Sequence, residues 1–211
     1  MIKIEMTDVY GWEAAIRGMR NPLNSWDKTD STFYPVYAQP GCCIPEIGYN
    51  DLSLMQRLAK AGDDHGKFAR MIIVYVDITA PLYFWKEFDT YKVGTVANSC
   101  STMHKIHARD LSLDDFSHEH LKRDSLEMLM RVIHGINEYR CEFTKDPNDK
   151  DCWWQLIQML PTSYNQKRTV MLNYQVLKNI YFARRHHKLD EWHTFCEWIE
   201  NLPYFKEIFR L

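Results

Sequence analysis

Met71-Ile72-Ile73-Val74-Tyr75-Val76, followed after three residues by Ala80-Pro81-Leu82-Tyr83-Phe84-Trp85-Lys86-Glu87-Phe88, is the stretch that decides the fold. A continuous run rich in β-branched residues suits a strand buried on both faces better than a short helix. Pro81 then fits the first turn of a helix, where its missing N–H costs nothing. That helix carries Tyr83, Phe84, Trp85 and Phe88 toward Thr90. Strand, tight turn, helix and loop is a frequent way to present side chains at a site.

Toward the N-terminus, Ile2, Ile4 and Met6 alternate with Lys3 and Glu5, the period of a half-buried strand. Trp12, Ala15, Ile16 and Met19 recur at helical spacing, with Asp8 as the expected cap and Asn21-Pro22 as the stop. The segment from Asn24 to Asn50, with Pro35, Pro40, Gly41, Pro45 and Gly48, reads as turn-rich. Asp51 is expected to cap a helix through Leu54, Met55, Leu58 and Ala61.

Toward the C-terminus, Ser112-x-x-Asp115 has the form of a capping box, and Leu126, Leu129, Ile133 and Ile136 mark a helix. Another helix over Cys152 to Leu160 must break at Leu160-Pro161, because a proline disfavours helix in the residue before it. A helix from about Lys167 through Val170, Leu177 and Ile180 to Arg184 is expected next, and then one with the apolar stripe Leu189, Trp192, Cys196 and Ile199. The sum is an α+β fold: one mixed domain over residues 1–211, with a central sheet and a helix-rich C-terminal half.

Composition agrees with one sizeable core. The 211 residues are 45% hydrophobic, with 7 Trp, 12 Tyr and 10 Phe, and no Pro/Gly/Ser linker divides them. A formal charge of −2 without a long basic run argues against nucleic acid as a partner. No stretch approaches the ~20 apolar residues of a membrane span, and Met1-Ile2-Lys3-Ile4-Glu5-Met6 has no apolar signal core, so a cytoplasmic location is expected. The cysteines at 42, 43, 100, 141, 152 and 196 show no C-x-x-C spacing and read as reduced thiols; Cys42-Cys43 is either a redox pair or two spectators. His104-x-x-His107, His118-x-His120 and His186-His187 lack a Cys or carboxylate at ligand spacing, so no metal site is expected.

General catalytic motifs are absent: there is no nucleophile elbow, Walker loop, G-x-G-x-x-G or H-E-x-x-H. What remains is a polar cluster, Thr95 to Thr102, and a late segment bearing Asn173, Asn179 and Arg184. If that segment is one helix, Asn173 and Arg184, eleven residues apart, share a face at ~100° per residue. Two readings stand beside each other. In one, Arg184 pairs with a surface carboxylate and the Ser/Thr/Asn cluster makes a turn; in the other, the polar face meets a ligand.

The segment Ala80 to Phe88 followed by Thr90-Tyr91-Lys92-x-x-Thr95-x-x-Asn98-x-x-Ser101 resembles the signature region of flavin-dependent thymidylate synthases. There an A-P helix leads into R-H-R-x-x-S-x-N-E-x-S-x-R-Y, and the match needs one inserted residue near Ala97. Leu160-Pro161 through Asn173, Asn179 and Arg184 resembles the family's second half, an L-P turn followed by N-x-R-x-x-x-N-x-x-x-x-R. Lys60-Ala61-Gly62 and His65 resemble its G-H-x-x-x-x-E-H lead.

The resemblance implies reductive methylation of dUMP or a related pyrimidine nucleotide. FAD would be the cofactor, NADPH and methylenetetrahydrofolate the co-substrates, and a homotetramer the assembly. It implies that Arg184 stabilises negative charge developing on the pyrimidine ring, as both catalytic and substrate-binding residue. His65, Thr90, Tyr91, Lys92, Asn98, Asn173 and Asn179 would hold cofactor, and Glu87, Ser99, Ser101 and Met103 would face substrate. The departures have consequences. R-H-R reads Thr90-Tyr91-Lys92, and family arginines read Met103 and Ile157. A phosphate favours arginine forks, whereas Glu87 would repel it: like unit charges at 4 Å cost about 4 kcal/mol at an effective dielectric of 20. The alternatives are a lapsed enzyme that still binds nucleotide or flavin, and a flavin enzyme with an altered pyrimidine acceptor.

Overall fold

In the computed structural model, the described residues are 2–35 and 43–211. Cys42, with Pro40 and Gly41 of the expected turn-rich segment, lies outside them.

Among the described residues, six strands and eight α-helices follow one another as β1 (Lys3–Tyr10), α1 (Trp12–Arg20), β2 (Thr32–Pro35), β3 (Cys43–Glu46), α2 (Tyr49–Lys60), β4 (Ile73–Pro81), α3 (Leu82–Phe88) and β5 (Val96–Ser99), then α4 (Arg123–Lys145), α5 (Lys150–Gln158), β6 (Asn165–Asn173), α6 (Tyr174–Arg184), α7 (Asp190–Glu200) and α8 (Phe205–Phe209). The main sheet has the order β1-β4-β6-β5. A second, antiparallel sheet pairs β2 with β3, with Thr32 opposite Glu46 and Tyr34 opposite Ile44. The mixed α+β architecture with a helix-rich C-terminal half is the one expected.

The chain forms two compact units that alternate along the sequence: Met1–Lys3, Ile78–Thr90 and Asn98–Arg168 in one, and Ile4–Asp77, Tyr91–Ala97 and Thr169–Leu211 in the other. The first unit is built on Ile106, Leu111, Phe116, Leu129, Ile133, Ile136, Phe143 and Leu156, where α4 and α5 turn their apolar faces inward. Its second cluster is aromatic: Trp85 meets Phe84 at 5.5 Å and Phe88 at 5.2 Å, all three buried. In the second unit Trp12 packs edge-on against Tyr174 at 5.3 Å, and Tyr174 against Phe205 at 5.4 Å. The α7 stripe Trp192, Phe195, Cys196 and Ile199 is buried beside them. Each such side chain contributes about 1.5–3 kcal/mol on burial.

Several local expectations are corrected. Asp8 lies within β1, and α1 starts after Gly11, whose φ of 90° suits glycine. A Cβ there would come within 2.1 Å of the Met71 carbonyl oxygen, so the close approach of two backbones selects glycine. The central strand is Ile73–Pro81 rather than 71–76, and it alternates: Val74, Val76, Ile78 and Ala80 are buried while Tyr75 is 45% exposed. Pro81 ends that strand and stands just before α3. Residues 165–173 are a strand, not the start of a helix. Gln166, Val170 and Leu172 are buried at period two, and the polar Gln166 and Arg168 on that face mask the period in the sequence.

Asp51 is not a cap either, since α2 begins after Gly48. Its buried carboxylate accepts from Arg20 Nε at 2.7 Å, from the Thr29 and Ser31 hydroxyls at 2.7 Å each, and from the Asp30 and Ser31 N–H groups. The capping box at Ser112 and Asp115 forms as read, and α5 is capped by Asp149.

Candidate functional site

Helix α6 organises the expected residues of the second unit. Asn173, at its N-cap, accepts from the Val176 N–H at 3.0 Å and donates from Nδ2 to the Gly94 carbonyl at 3.5 Å. Gly94 has φ 78°, and a Cβ on it would lie 2.8 Å from Asn173 Nδ2, so the loop can approach the helix only with glycine there. At the far end, Arg184 Nε donates to the Tyr91 hydroxyl at 2.9 Å. The eleven residues of α6 span ~16 Å, so the Tyr91–Ala97 loop is tied to both ends of one helix.

Two aromatic rings lie against Arg184. Its guanidinium carbon stands 5.0 Å from the Trp192 ring centre and 5.7 Å from that of Tyr91. The two rings meet edge to face at 6.3 Å, and His187 meets Trp192 at 6.2 Å. Trp192 is fully buried on α7. The sequence identified it only as part of an apolar stripe; its second role needs α6 and α7 to fold back on each other, which the short 185–189 connection permits.

The other expected residues of this unit lie apart from that mount. Asn179 is exposed, and its Oδ1 accepts from Gln175 Nε2 at 3.1 Å, which also donates to Asp63 at 3.0 Å. His65 lines a cleft of about 720 Å³ with Arg57, Lys67, Phe68 and Met71. Lys92 is exposed in the loop, and the Thr95 hydroxyl is buried without a hydrogen-bond partner.

In the first unit, the polar cluster is divided between strand β5, which holds Asn98 and Ser99, and a turn at Ser101. The Ser101 hydroxyl oxygen accepts from the N–H groups of Met103 at 3.3 Å and His104 at 3.0 Å. Thr90 donates its hydroxyl to the Glu87 carbonyl at 2.8 Å. Asn98 and Ser99 lie exposed on β5, Glu87 is half-buried on α3, and Met103 is 50% exposed. Arg168 is engaged: it donates to Asp89 at 2.7 Å and to Gln166 at 3.1 Å and stacks 4.3 Å from the Trp85 ring centre. Ile157 packs against the α4–α5 core.

Two buried thiols are held protonated. Burial, with the charge of Glu200 behind it, pushes Cys196 up to about 11, and hydrogen bonding to Asp149, with burial and Glu142, pushes Cys152 to about 12. Neither offers a thiolate nucleophile at neutral pH.

No family model matches the chain, and no curated protein matches it by sequence. Solved structures do. Thymidylate synthase X from Helicobacter pylori, with FAD and dUMP, superposes at a TM-score of 0.68 over 99% of this chain and 97% of that one. The fold is that of the flavin-dependent thymidylate synthases. A second structure of the Helicobacter pylori flavin-dependent enzyme, complexed with FAD and dUMP, gives 0.67 over 98% and 97%. The UMP/dUMP methylase PolB from Streptomyces cacaoi, bound with 5-Br dUMP, gives 0.62 over 100% and 95%. Identities are 13%, 14% and 15%, so the likeness is one of fold. Among the described residues, no helix is long and apolar enough to cross a membrane.

Proposed function

We propose that this protein is a flavin-dependent methylase of a pyrimidine nucleotide, dUMP or UMP, using FAD with NADPH and methylenetetrahydrofolate as co-substrates. The observation that carries the reading is the mount of Arg184: an arginine at the end of α6, bonded to Tyr91 and stacked by Trp192, in a chain whose whole length follows that fold. A guanidinium fixed before the reaction needs no reorganisation when charge develops on a ring oxygen, and that is where such groups lower barriers. The role of Arg184 in this reading is to bind and polarise the pyrimidine ring.

The residues present fit a flavin dinucleotide. The partnerless Thr95 hydroxyl and the exposed Lys92 ammonium lie in one loop and supply a donor and a charge for a diphosphate. Asn173 and Gly94 fix that loop, and Tyr91 offers a ring. When bound, FAD supplies reversible hydride transfer. The protonated state of Cys196 and Cys152 accords with a route that uses no enzyme cysteine as nucleophile. Assembly as a homotetramer belongs to the same reading.

The full chain should purify yellow or take up added FAD, with FAD and dUMP each raising its melting temperature. With NADPH and methylenetetrahydrofolate, mass spectrometry should show methylation of dUMP or UMP. A colourless protein that neither binds FAD nor gains thermal stability from it ends this reading.

A further inference from the structure

We propose that Tyr91 is the neutral hydrogen-bond donor of this site, offering its O–H to an imide carbonyl oxygen of a bound pyrimidinedione ring. The inference rests on the reading above and assigns a task to the residue that departs most from the family's R-H-R triplet.

A phenol oxygen carries one hydrogen and two lone pairs. Arg184 Nε–H occupies a lone pair of Tyr91 at 2.9 Å. Among the described residues nothing accepts the phenol's own hydrogen. A charged donor on the oxygen polarises the O–H bond outward, which makes it a stronger donor than a phenol in water. The ring cannot readily swing away, because Trp192 stands edge-on to it at 6.3 Å and the guanidinium lies 5.7 Å from its centre. Tyr91 is half-buried, so the hydrogen points to solvent or to a ligand that displaces solvent.

Single neutral donors suit a carbonyl better than a phosphate, which favours several charged ones. Uracil and the flavin ring both carry the imide edge C=O–NH–C=O, so the chemistry is common to two sources and experiment must separate them. A phenol also differs from the imidazole of the family triplet in one useful respect. Imidazole changes charge near pH 6.5 and, once protonated, cannot accept from an arginine, whereas a phenol does neither near neutrality.

The test uses the full chain, its Tyr91→Phe and Tyr91→His variants, and binding rather than turnover. FAD affinity is measured alone, and dUMP and UMP affinities on the FAD-loaded protein by calorimetry, from pH 5.5 to 8.5. Tyr91→Phe should weaken one ligand about tenfold, as for one lost polar contact: the nucleotide if the O–H meets uracil, FAD if it meets the flavin. Taken as a ratio to the unchanged protein at each pH, which cancels the titration of the nucleotide phosphate and of His187 beside Trp192, the affinity of Tyr91→His should stay near one above pH 7.5 and fall toward pH 5.5 as the introduced imidazole protonates. If Tyr91→Phe binds both FAD and nucleotide as the unchanged protein does, the inference is overturned and the functional reading stands. If the unchanged protein binds neither ligand, both fall. Should Tyr91→Phe fail to fold, a ratio of Tyr91→His to unchanged affinity that is flat from pH 5.5 to 8.5 overturns the inference by itself.

Discussion

Arg20 and Arg184 stand at the ends of two helices in the same unit and differ in burial and in the partners of their Nε groups. Arg20, 4% exposed, meets the carboxylate of Asp51 through Nε at 2.7 Å and through a second guanidinium nitrogen at 2.6 Å. Asp51 in turn gathers Thr29, Asp30 and Ser31, so the charges close on each other away from water. Arg184 is half-buried, bonds a neutral phenol and lies against the faces of Trp192 and Tyr91. The first arrangement fixes the 29–31 turn onto α2, and the second holds a half-buried cation against two aromatic rings. On the function proposed above, an arginine's environment, rather than its presence, separates scaffold from site.

The sharpest way to break this contrast is to remove the carboxylate. Asp51→Ala leaves Arg20 buried without its partner, which should cost about 3–5 kcal/mol of stability, read as a lower urea midpoint with FAD affinity per folded molecule unchanged. The same pair predicts an acid dependence. Burial alone would raise the Asp51 carboxyl, but hydrogen bonds from Ser31, Thr29, Arg20 and the Asp30 backbone overcome it and hold the group below its ordinary value. A lowered folded-state value means that the stabilisation is full above the unfolded value of about 4 and is lost as pH falls through the folded one. The stability gap between the unchanged protein and Asp51→Ala should therefore be constant from pH 8 to 5 and shrink below about 4. A gap that stays constant to pH 2 contradicts the closed ion pair.

Arg184→Ala should do the reverse. Methylation should fall by about 10²–10³-fold, while the melting temperature shifts by only a few degrees and FAD still binds. Loss of fold with this variant would put Arg184 in the same class as Arg20; unchanged turnover would remove it from the site.

How much of this contrast the sequence carried depends on the range of each interaction. The capping box at Ser112, the turn that Ser101 makes and the α7 stripe are local, and they are legible from spacing of three or four residues, whereas Val96–Ser99 of the same polar cluster form a strand. Asp51 looks like a cap in the sequence because its partners Arg20, Thr29 and Ser31 lie 20 to 31 residues away, and a carboxylate before a helical run has the same appearance in both roles. Strand β6 looks like helix in the sequence because its inward face begins with Gln166 and Arg168, which pair with Cys100 and Asp89 rather than with apolar neighbours. Tyr91 and Arg184 are 93 residues apart; resemblance placed them in one site, but no spacing rule could place the hydroxyl on Nε.

The smallest effect separates the two ends of α6. Asn173 does two things at once: its oxygen caps the helix through the Val176 N–H, and its nitrogen holds Gly94. Asn173→Ala should cost about 1 kcal/mol through the lost cap and release the loop, so that hydrogen exchange quickens both at Val176 and across residues 91–97. Asn173→Ser keeps an acceptor at the cap, and most of the stability should return. Serine is too short to hold the Gly94 carbonyl from the same position, so exchange in the loop should remain fast. If Asn173→Ser restores protection in both places, the Gly94 bond contributes nothing and Tyr91 alone holds the loop to α6. If only the helix recovers, the placement of Tyr91 before Arg184 depends on an asparagine at the opposite end of the helix.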